Sequence, residues 1–165
     1  MSHPNIDAQY PVHYAAIRDV HERYFMAVDR GDVAGVRACF AKDLEATYHQ
    51  RETMKSLDAM MDQTMLPFFE RLKSGAVKVS THFMGNFRIE RLAGVTAETE
   101  TYAIAIQIVA GTADVARVMS LRYLDRLAYA TGGWAITKRV QTLDWNCEVP
   151  AGFAQTMATR VMAIR

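Results

Sequence analysis

From Val77 to Trp145 the chain is written in period two. Four long alternating runs fall near Val77 to Leu92, Val95 to Val109, Val115 to Tyr129 and Trp134 to Trp145, separated only by the turn sequences "LAGV", "VAGTAD" and "ATGGW". Alternation of that length places successive side chains on opposite faces of a strand, and connections that short favour antiparallel neighbours. A meander of this kind needs a cover for its apolar face, and the first third of the chain supplies one. From Val12 to Arg30 the apolar residues Ile17, Val20, Tyr24 and Val28 recur at spacings of three and four, one buried helical stripe. Gly31 ends that helix, and Asp32 can cap a short second helix carrying Val36 and Phe40. Leu44 to Tyr48 reads as a brief extended piece, and a third helix runs from about Ser56 to Leu72, where Pro67 should bend or split it. The tail from Pro150 carries a last helical pattern in Phe153, Met157, Val161 and Ile164, placed to close over an open end of the sheet. The predicted architecture is α+β: three N-terminal helices on one face of a curved, mostly antiparallel sheet, with a short C-terminal helix.

At 165 residues, half of them apolar, the chain fits a single domain with one substantial core. Nineteen basic against eighteen acidic side chains, with no basic run, argue against nucleic acid or an anionic membrane as partner. No apolar stretch is long enough to span a bilayer and "MSHPNIDAQYP" lacks the regions of a signal peptide, so a cytoplasmic location is expected. The two cysteines, Cys39 and Cys147, show no spacing that suggests a disulfide frame or a zinc site and read as free thiols.

Two residues carry most of the chemical interest. Asp29 falls on the edge of the first helix's apolar stripe, after Phe25 and His21, where a carboxylate is partly desolvated; the plainer reading is a solvated residue in the charged "DRGD" turn. His82 sits in "STHFMGNFRIE", where a regular strand would put it on a wet face with Ser80, Asn86 and Arg88. A bulge at Gly85 and Asn86 would instead bring His82 and Met84 onto the buried side with Phe87 and Ile89. His21 lies inside the apolar stripe and is expected to be a buried histidine bonded to backbone, and His49 is expected to be exposed. No H-x-x-x-H or comparable spacing marks a metal site, and no metal or other cofactor is expected. The ten methionines, Met54, Met60, Met61, Met65 and Met84 among them, suit an irregular core or an adaptable wall around an apolar ligand. Met65, Phe68, Phe69 and Met84 are the candidates for such a wall.

In order and spacing, "AIRDVHERYFMAVDRGDVAGVRACFAKDLEATY", "STHFMGNFRIE" and "GGWAITKRVQTLDW" resemble the SnoaL-like branch of the nuclear transport factor 2 superfamily, over nearly the whole chain. The resemblance implies a cone-shaped α+β barrel with a ligand pocket between helices and sheet. It also implies kinship with scytalone dehydratase, a hexachlorocyclohexane dehydrochlorinase and a bile acid dehydratase, which are eliminating enzymes without cofactors. On this resemblance Asp29 and His82 match the family's Asp-His dyad, Tyr48 matches a tyrosine of scytalone dehydratase and Tyr24 one of the bile acid enzyme. The match is partial. Ala103 and Ala105 stand about where those dehydratases place a second histidine or an acid, and Tyr123 to Tyr129 reproduces neither an expected asparagine nor an expected arginine. "LDW", Leu143 to Trp145, recurs in the family; Trp145 is expected to pack the cone's open end, while Asp144 has no evident role.

An imidazole whose tautomer a carboxylate fixes can take a proton from carbon beside a carbonyl, and a tyrosine can donate to the oxygen where charge develops. The expected activity is therefore a cofactor-free lyase of dehydratase type, or an isomerase, acting on a bulky apolar, polycyclic or steroid-like carbonyl compound. Asp29, His82 and Tyr48 would be catalytic, and Tyr24 with the apolar wall would bind substrate. The alternative is a non-catalytic cone, either a ligand-binding protein or a subunit like the small subunit of ring-hydroxylating dioxygenases. Apolar residues on both parities of the strands from Val95 to Tyr129 imply that both sheet faces are covered, so a homodimer or homotrimer is expected.

Overall fold

The computed structural model describes residues 9–49 and 51–153. Helix α1, Tyr10–Arg30, carries Pro11 in its first turn, where a missing N–H costs nothing, and buries Ile17, Val20, His21, Tyr24, Phe25, Ala27 and Val28. It stops at Gly31, whose φ of 66° is left-handed. There the Gly31 N–H donates to the Val28 carbonyl and the Asp32 N–H to that of Ala27, a Schellman closure that fixes the last turn and with it Asp29. The Asp32 carboxylate then accepts from Gly35 N–H at 2.9 Å and caps α2, Val33–Arg37.

Phe40, expected on that second helix, instead opens strand β1, Phe40–Tyr48. Only Val36 of α2 is buried, so the helix has little to hold it, whereas Phe40 pairs with Ile136 and meets the Tyr24 ring edge-on at 5.5 Å. Tertiary packing overrides the local helical spacing. The next helical stretch begins at Ser56, whose hydroxyl accepts from Ala59 N–H at 3.0 Å. It runs as α3, Leu57–Met60, a π turn over Met61–Met65, and α4, Leu66–Lys73. Pro67 therefore does not split it. The π turn, in which Leu66 N–H reaches back to the Met61 carbonyl, takes up one extra residue just where the proline would crowd an ordinary turn.

Four long strands follow: β2, Val77–Ala93; β3, Thr96–Val109; β4, Val115–Ala130; and β5, Gly133–Pro150. The sheet order is β1-β5-β4-β3-β2, with β1 parallel to β5 and the other pairs antiparallel. The fold is α+β with helices on one face of a mixed five-stranded sheet that stays open, leaving β1 and β2 as edges. The bulge at Gly85 and Asn86 is present: Met84 lies opposite Ala103 but Phe87 opposite Thr101, so β2 carries one residue more than β3. Ser80, Met84 and Ile89 consequently all face inward, while Phe83 points outward and is 60 % exposed. Among the described residues no helix is long and apolar enough to cross a membrane. Phe153 ends a short turn of 3₁₀ helix, Ala151–Phe153, and the helical pattern expected through Met157, Val161 and Ile164 lies outside the described residues.

The outer sheet face divides in two. One half is a lattice of ion pairs, Arg126 with Glu98 at 2.9 Å and Arg122 with Glu100 at 3.5 Å and Asp144 at 3.1 Å, which gives Asp144 a partner that the sequence did not suggest. The other half is apolar: Phe83, Tyr102 and Trp145 stand around the half-buried Ile104, Ile106 and Val118. Trp145 is 52 % exposed, and its backbone lies opposite Ser120 in the sheet; it does not pack an open end of the cone. A patch of this character is a surface that a second copy would cover. A homodimer or homotrimer joined through it is expected, and Phe83→Lys should shift sedimentation toward monomer without changing the circular dichroism spectrum. A wild-type chain that sediments as a monomer at micromolar concentration would show that the patch stays wet.

Candidate active site

Asp29 and His82 meet where the last turn of α1 passes the free edge of β2. The Asp29 carboxylate accepts from the His82 ring Nδ1 at 2.7 Å and, through its other oxygen, from the His82 backbone N–H at 2.8 Å. Ser80 Oγ donates to the same carboxylate at 3.0 Å. Both side chains of the pair are only 7 % exposed, and Phe25 stacks on the imidazole with ring centroids 5.5 Å apart and planes 20° from parallel. Burial pushes the Asp29 carboxyl up, but the bonds from the His82 ring, its backbone N–H and Ser80 outweigh it and hold the group below its ordinary value. An ionised Asp29 can only accept, so Nδ1 carries a proton, and in the neutral imidazole the lone pair then lies on Nε2.

The imidazole borders a cavity of about 160 Å³ between helices and sheet. Tyr24 and Val28 of α1, Tyr48 and His49 at the end of β1, Thr64 and Met65 of the π turn and Phe68 of α4 form one side. Gln107, Met119, Leu121, Tyr123 and Gln141 of the sheet form the other. The structure thus brings together Tyr24, Tyr48, Met65, Phe68 and His82, with Asp29 behind the ring. Phe69 and Met84 do not line the cavity. Phe69 is turned into the core, with its ring 3.9 Å from where a side chain on Gly31 would begin, and Met84 packs on the core one pleat beyond His82. Ala103 and Ala105 lie opposite Met84 and His82, buried and without a polar group. Among the described residues no three His, Cys, Asp or Glu side chains gather as metal ligands.

A second polar centre lies deeper, and the sequence did not reveal it. Arg139 is fully buried and donates to both Asp125 oxygens, at 2.9 and 2.7 Å. Its guanidinium carbon stands 4.1 Å from the Tyr24 ring centroid, 4.8 Å from that of Tyr123 and 5.0 Å from that of Phe40. Above it the Tyr24 and Tyr48 hydroxyls share a hydrogen bond of 3.2 Å, and Gln141 Nε2 reaches Tyr123 Oη at 3.5 Å. Burial pushes Tyr24 and Tyr123 up, so both keep their protons at neutral pH, while the Arg139 charge pulls the other way and polarises them. His21 completes the centre. Its hydrogen bond is to a side chain rather than to backbone, Nε2 to Thr99 Oγ1 at 3.3 Å, while Nδ1 stands 3.4 Å from Asp125 without a hydrogen bond. Burial lowers its pKa to about 4 despite Asp125, so the ring is neutral. A strand position that alternates with apolar neighbours on the inner face was the available signal, but "TKR" and "LDR" read locally as solvated charge.

Residues 13–140 match the model of the SnoaL-like domain, and the chain belongs to that family. A comparison with curated protein sequences finds no match. Among solved structures, the chain resembles a protein of Novosphingobium aromaticivorans assigned as a scytalone dehydratase, at 18 % identity and a TM-score of 0.73 over 89 % of this chain and 98 % of that one. It also resembles a type 2 hexachlorocyclohexane dehydrochlorinase, LinA, at 15 % identity and a TM-score of 0.75 over 93 % and 99 %. A third, assigned as an aromatic ring hydroxylase from N. aromaticivorans, is 19 % identical with a TM-score of 0.70 over 84 % and 94 %. At these identities the likeness establishes the fold.

The buried centre sets a pH dependence of stability. His21 titrates near 6.5 when unfolded and about 4 when folded, so between those values the unfolded chain binds more protons. Stability should fall as pH drops from 6.5 to 4, by on the order of 3 kcal/mol in all. The depressed Asp29 carboxyl adds its own loss only lower, as pH falls through its folded pKa. Urea unfolding of wild type and His21→Gln from pH 7 to 4.5 checks this, with the variant expected to show the flatter profile. Asp125→Ala should be severe at every pH, costing about 3–5 kcal/mol, because it leaves the Arg139 charge buried and unpaired.

Proposed function

We propose that this SnoaL-like protein is a cofactor-free lyase of the dehydratase type, with His82 as base and Asp29 as its orienting partner. The observation that carries this reading is the double grip of Asp29 on His82, ring and backbone together, beside a cavity. A histidine held so has one reacting nitrogen, Nε2, and its partner carboxylate stabilises the imidazolium once a proton arrives. Tyr48 is the donor to the carbonyl oxygen on which charge develops: if the buried Tyr24 gives its proton to Tyr48, the Tyr48 O–H is free to point at substrate. Arg139, beneath the Tyr24 ring, acts through that pair as a positioning residue.

The substrate is a compact carbonyl compound, with a hydroxyl or other leaving group one carbon beyond the acidic C–H. A cavity of about 160 Å³ is well under the roughly 300 Å³ at which drug-sized pockets begin, so a single ring or two fused rings fit better than the steroid-sized compound expected from the sequence. The apolar wall of Val28, Met65, Phe68 and Leu121 suits such a ring. Ala103 and Ala105 favour the second reading, a non-catalytic ligand-binding or structural cone, since they remove the acid that a dehydratase would carry on β3.

Variants separate the two readings on any β-hydroxy carbonyl compound that the protein turns over. His82→Ala should abolish turnover. Asp29→Asn should be nearly as severe, because the amide favours the wrong tautomer and cannot balance the imidazolium; the same change in the serine protease triad costs about 10⁴-fold. Tyr48→Phe should cost on the order of 10² to 10³ in rate. Near-normal turnover in both His82→Ala and Asp29→Asn would leave the binding reading in possession.

A further inference from the structure

We propose that His49 is the general acid of the elimination, protonating the departing hydroxide in the cavity that His82 also borders. This rests on the reading of His82 as base and names the group that the reading lacks. Tyr48 and His49 are consecutive, and in a strand they would point to opposite faces, yet both border the cavity. The backbone achieves this at His49, whose φ of 52° makes it the only residue other than glycine with positive φ among those described. A histidine in the left-handed region is strained, and such strain persists where the surroundings over-determine it. Here they do. The His49 N–H donates to the Gln141 carbonyl at 3.1 Å, and the Arg51 N–H closes on the Tyr48 carbonyl at 3.1 Å.

Chemistry selects the same residue. Elimination of water from H–C–C–OH needs a base at carbon and an acid at oxygen, because hydroxide is a poor leaving group near neutral pH. Of the groups bordering the cavity, Thr64, Gln107 and Gln141 do not titrate, burial makes Tyr24 and Tyr123 reluctant to give up their protons, and Tyr48 is already taken as the donor to the carbonyl oxygen. The strand that would bring an acid from the sheet carries Ala103 and Ala105 instead. His49 remains, an imidazole that partial burial and then the Arg51 charge push below the usual histidine value, which makes its protonated form a readier donor. The step balances. His82 Nε2 takes the proton, the C–H electrons form the C=C bond, the C–O bond breaks, and the oxygen leaves as water with the His49 proton. His49, which is exposed, regains its proton from solvent while His82 loses one.

Two probes separate acid from base. A nitrobenzisoxazole opens by C–H abstraction and N–O cleavage to a stable phenolate, so it needs a base and no acid. A phenyl-substituted β-hydroxy ketone loses hydroxide and needs both. His49→Asn keeps a residue that tolerates the left-handed backbone and cannot transfer a proton. It should lower dehydration of the hydroxy ketone by roughly 10² to 10⁴ and the benzisoxazole reaction, which uses the same cavity, at least about tenfold less, whereas His82→Ala should abolish both. Equal loss of both reactions in His49→Asn, or loss of neither, overturns the proposal. So does a wild-type protein that opens the benzisoxazole without dehydrating the ketone, a base without an acid. A wild type inert toward both probes removes the lyase reading itself, and an unaffected benzisoxazole rate in His82→Ala removes the base; either failure differs from one confined to His49.

Discussion

One carboxylate, at the last turn of the first helix, holds a whole residue of the sheet's edge strand. β2 pairs only with β3, so every second N–H along it has no strand to bond. Asp29 takes one of these, that of His82, and with its other oxygen takes the ring of the same residue. The two bonds lock backbone and side chain against each other, and Ser80 on the carboxylate adds a third. Everything that sets up this contact lies nearby in the chain. The Schellman closure at Gly31 fixes where α1 ends, and the bulge at Gly85 and Asn86 keeps His82 on the inner face while Phe87 and Ile89 beyond it still reach the core. Remove the bulge and the strand's inner and outer faces exchange on one side of it.

The Arg139 and Asp125 pair plays a different part. Desolvating two full charges is costly, and a well-packed apolar pair of the same volume often serves stability as well or better. What an apolar pair cannot do is place a fixed positive charge 4.1 Å beneath the Tyr24 ring, where it draws against the burial that would otherwise make the hydroxyl a weaker donor. The centre also joins three elements that the apolar core alone would not register: α1 through His21, β4 through Asp125 and β5 through Arg139. Its cost is set by specificity of arrangement, with the tyrosine pair above it as the beneficiary.

The strands and the inward turn of His82 were legible because each rests on a local signal: alternation for the strands, glycine and asparagine in a strand interior for the bulge. Asp29 was only half legible: its place on the border of a helical stripe allowed a desolvated carboxylate, but the charged "DRGD" turn read more plainly as solvated, and the family resemblance singled it out. Phe40, Arg139 and Asp125 were not legible. Charged residues on a strand read as solvated when only their neighbours are considered, and nothing in "TKRVQ" says that the partner carboxylate arrives from the adjacent strand in "LDR". Phe40 fits a helical spacing and leaves the helix because Ile136, nearly a hundred residues on, offers a better pairing. The π turn was half legible, since Pro67 announced a disturbance and only the packing of Met61 and Met65 into the core decided its form. Phe69 and Met84 were assigned to the wall by chemistry alone, and the turn of α4 and the pleat of β2 direct them elsewhere.

A cavity that only binds needs shape, apolar surface and a few polar groups to orient its ligand. Such a cavity has no use for a histidine whose tautomer is fixed, since either tautomer offers one donor and one acceptor and a mobile ring adapts to more ligands. Fixing it requires a carboxylate that is 7 % exposed, which is unfavourable unless several donors compensate, and here the ring, the backbone N–H and Ser80 do so. The His49 backbone is strained as well, so strain and desolvation both fall on the two imidazoles that border one small cavity. Proton transfer depends on which nitrogen bears the proton and where it points, and simple binding does not. Both features are what the proposed proton transfer would require.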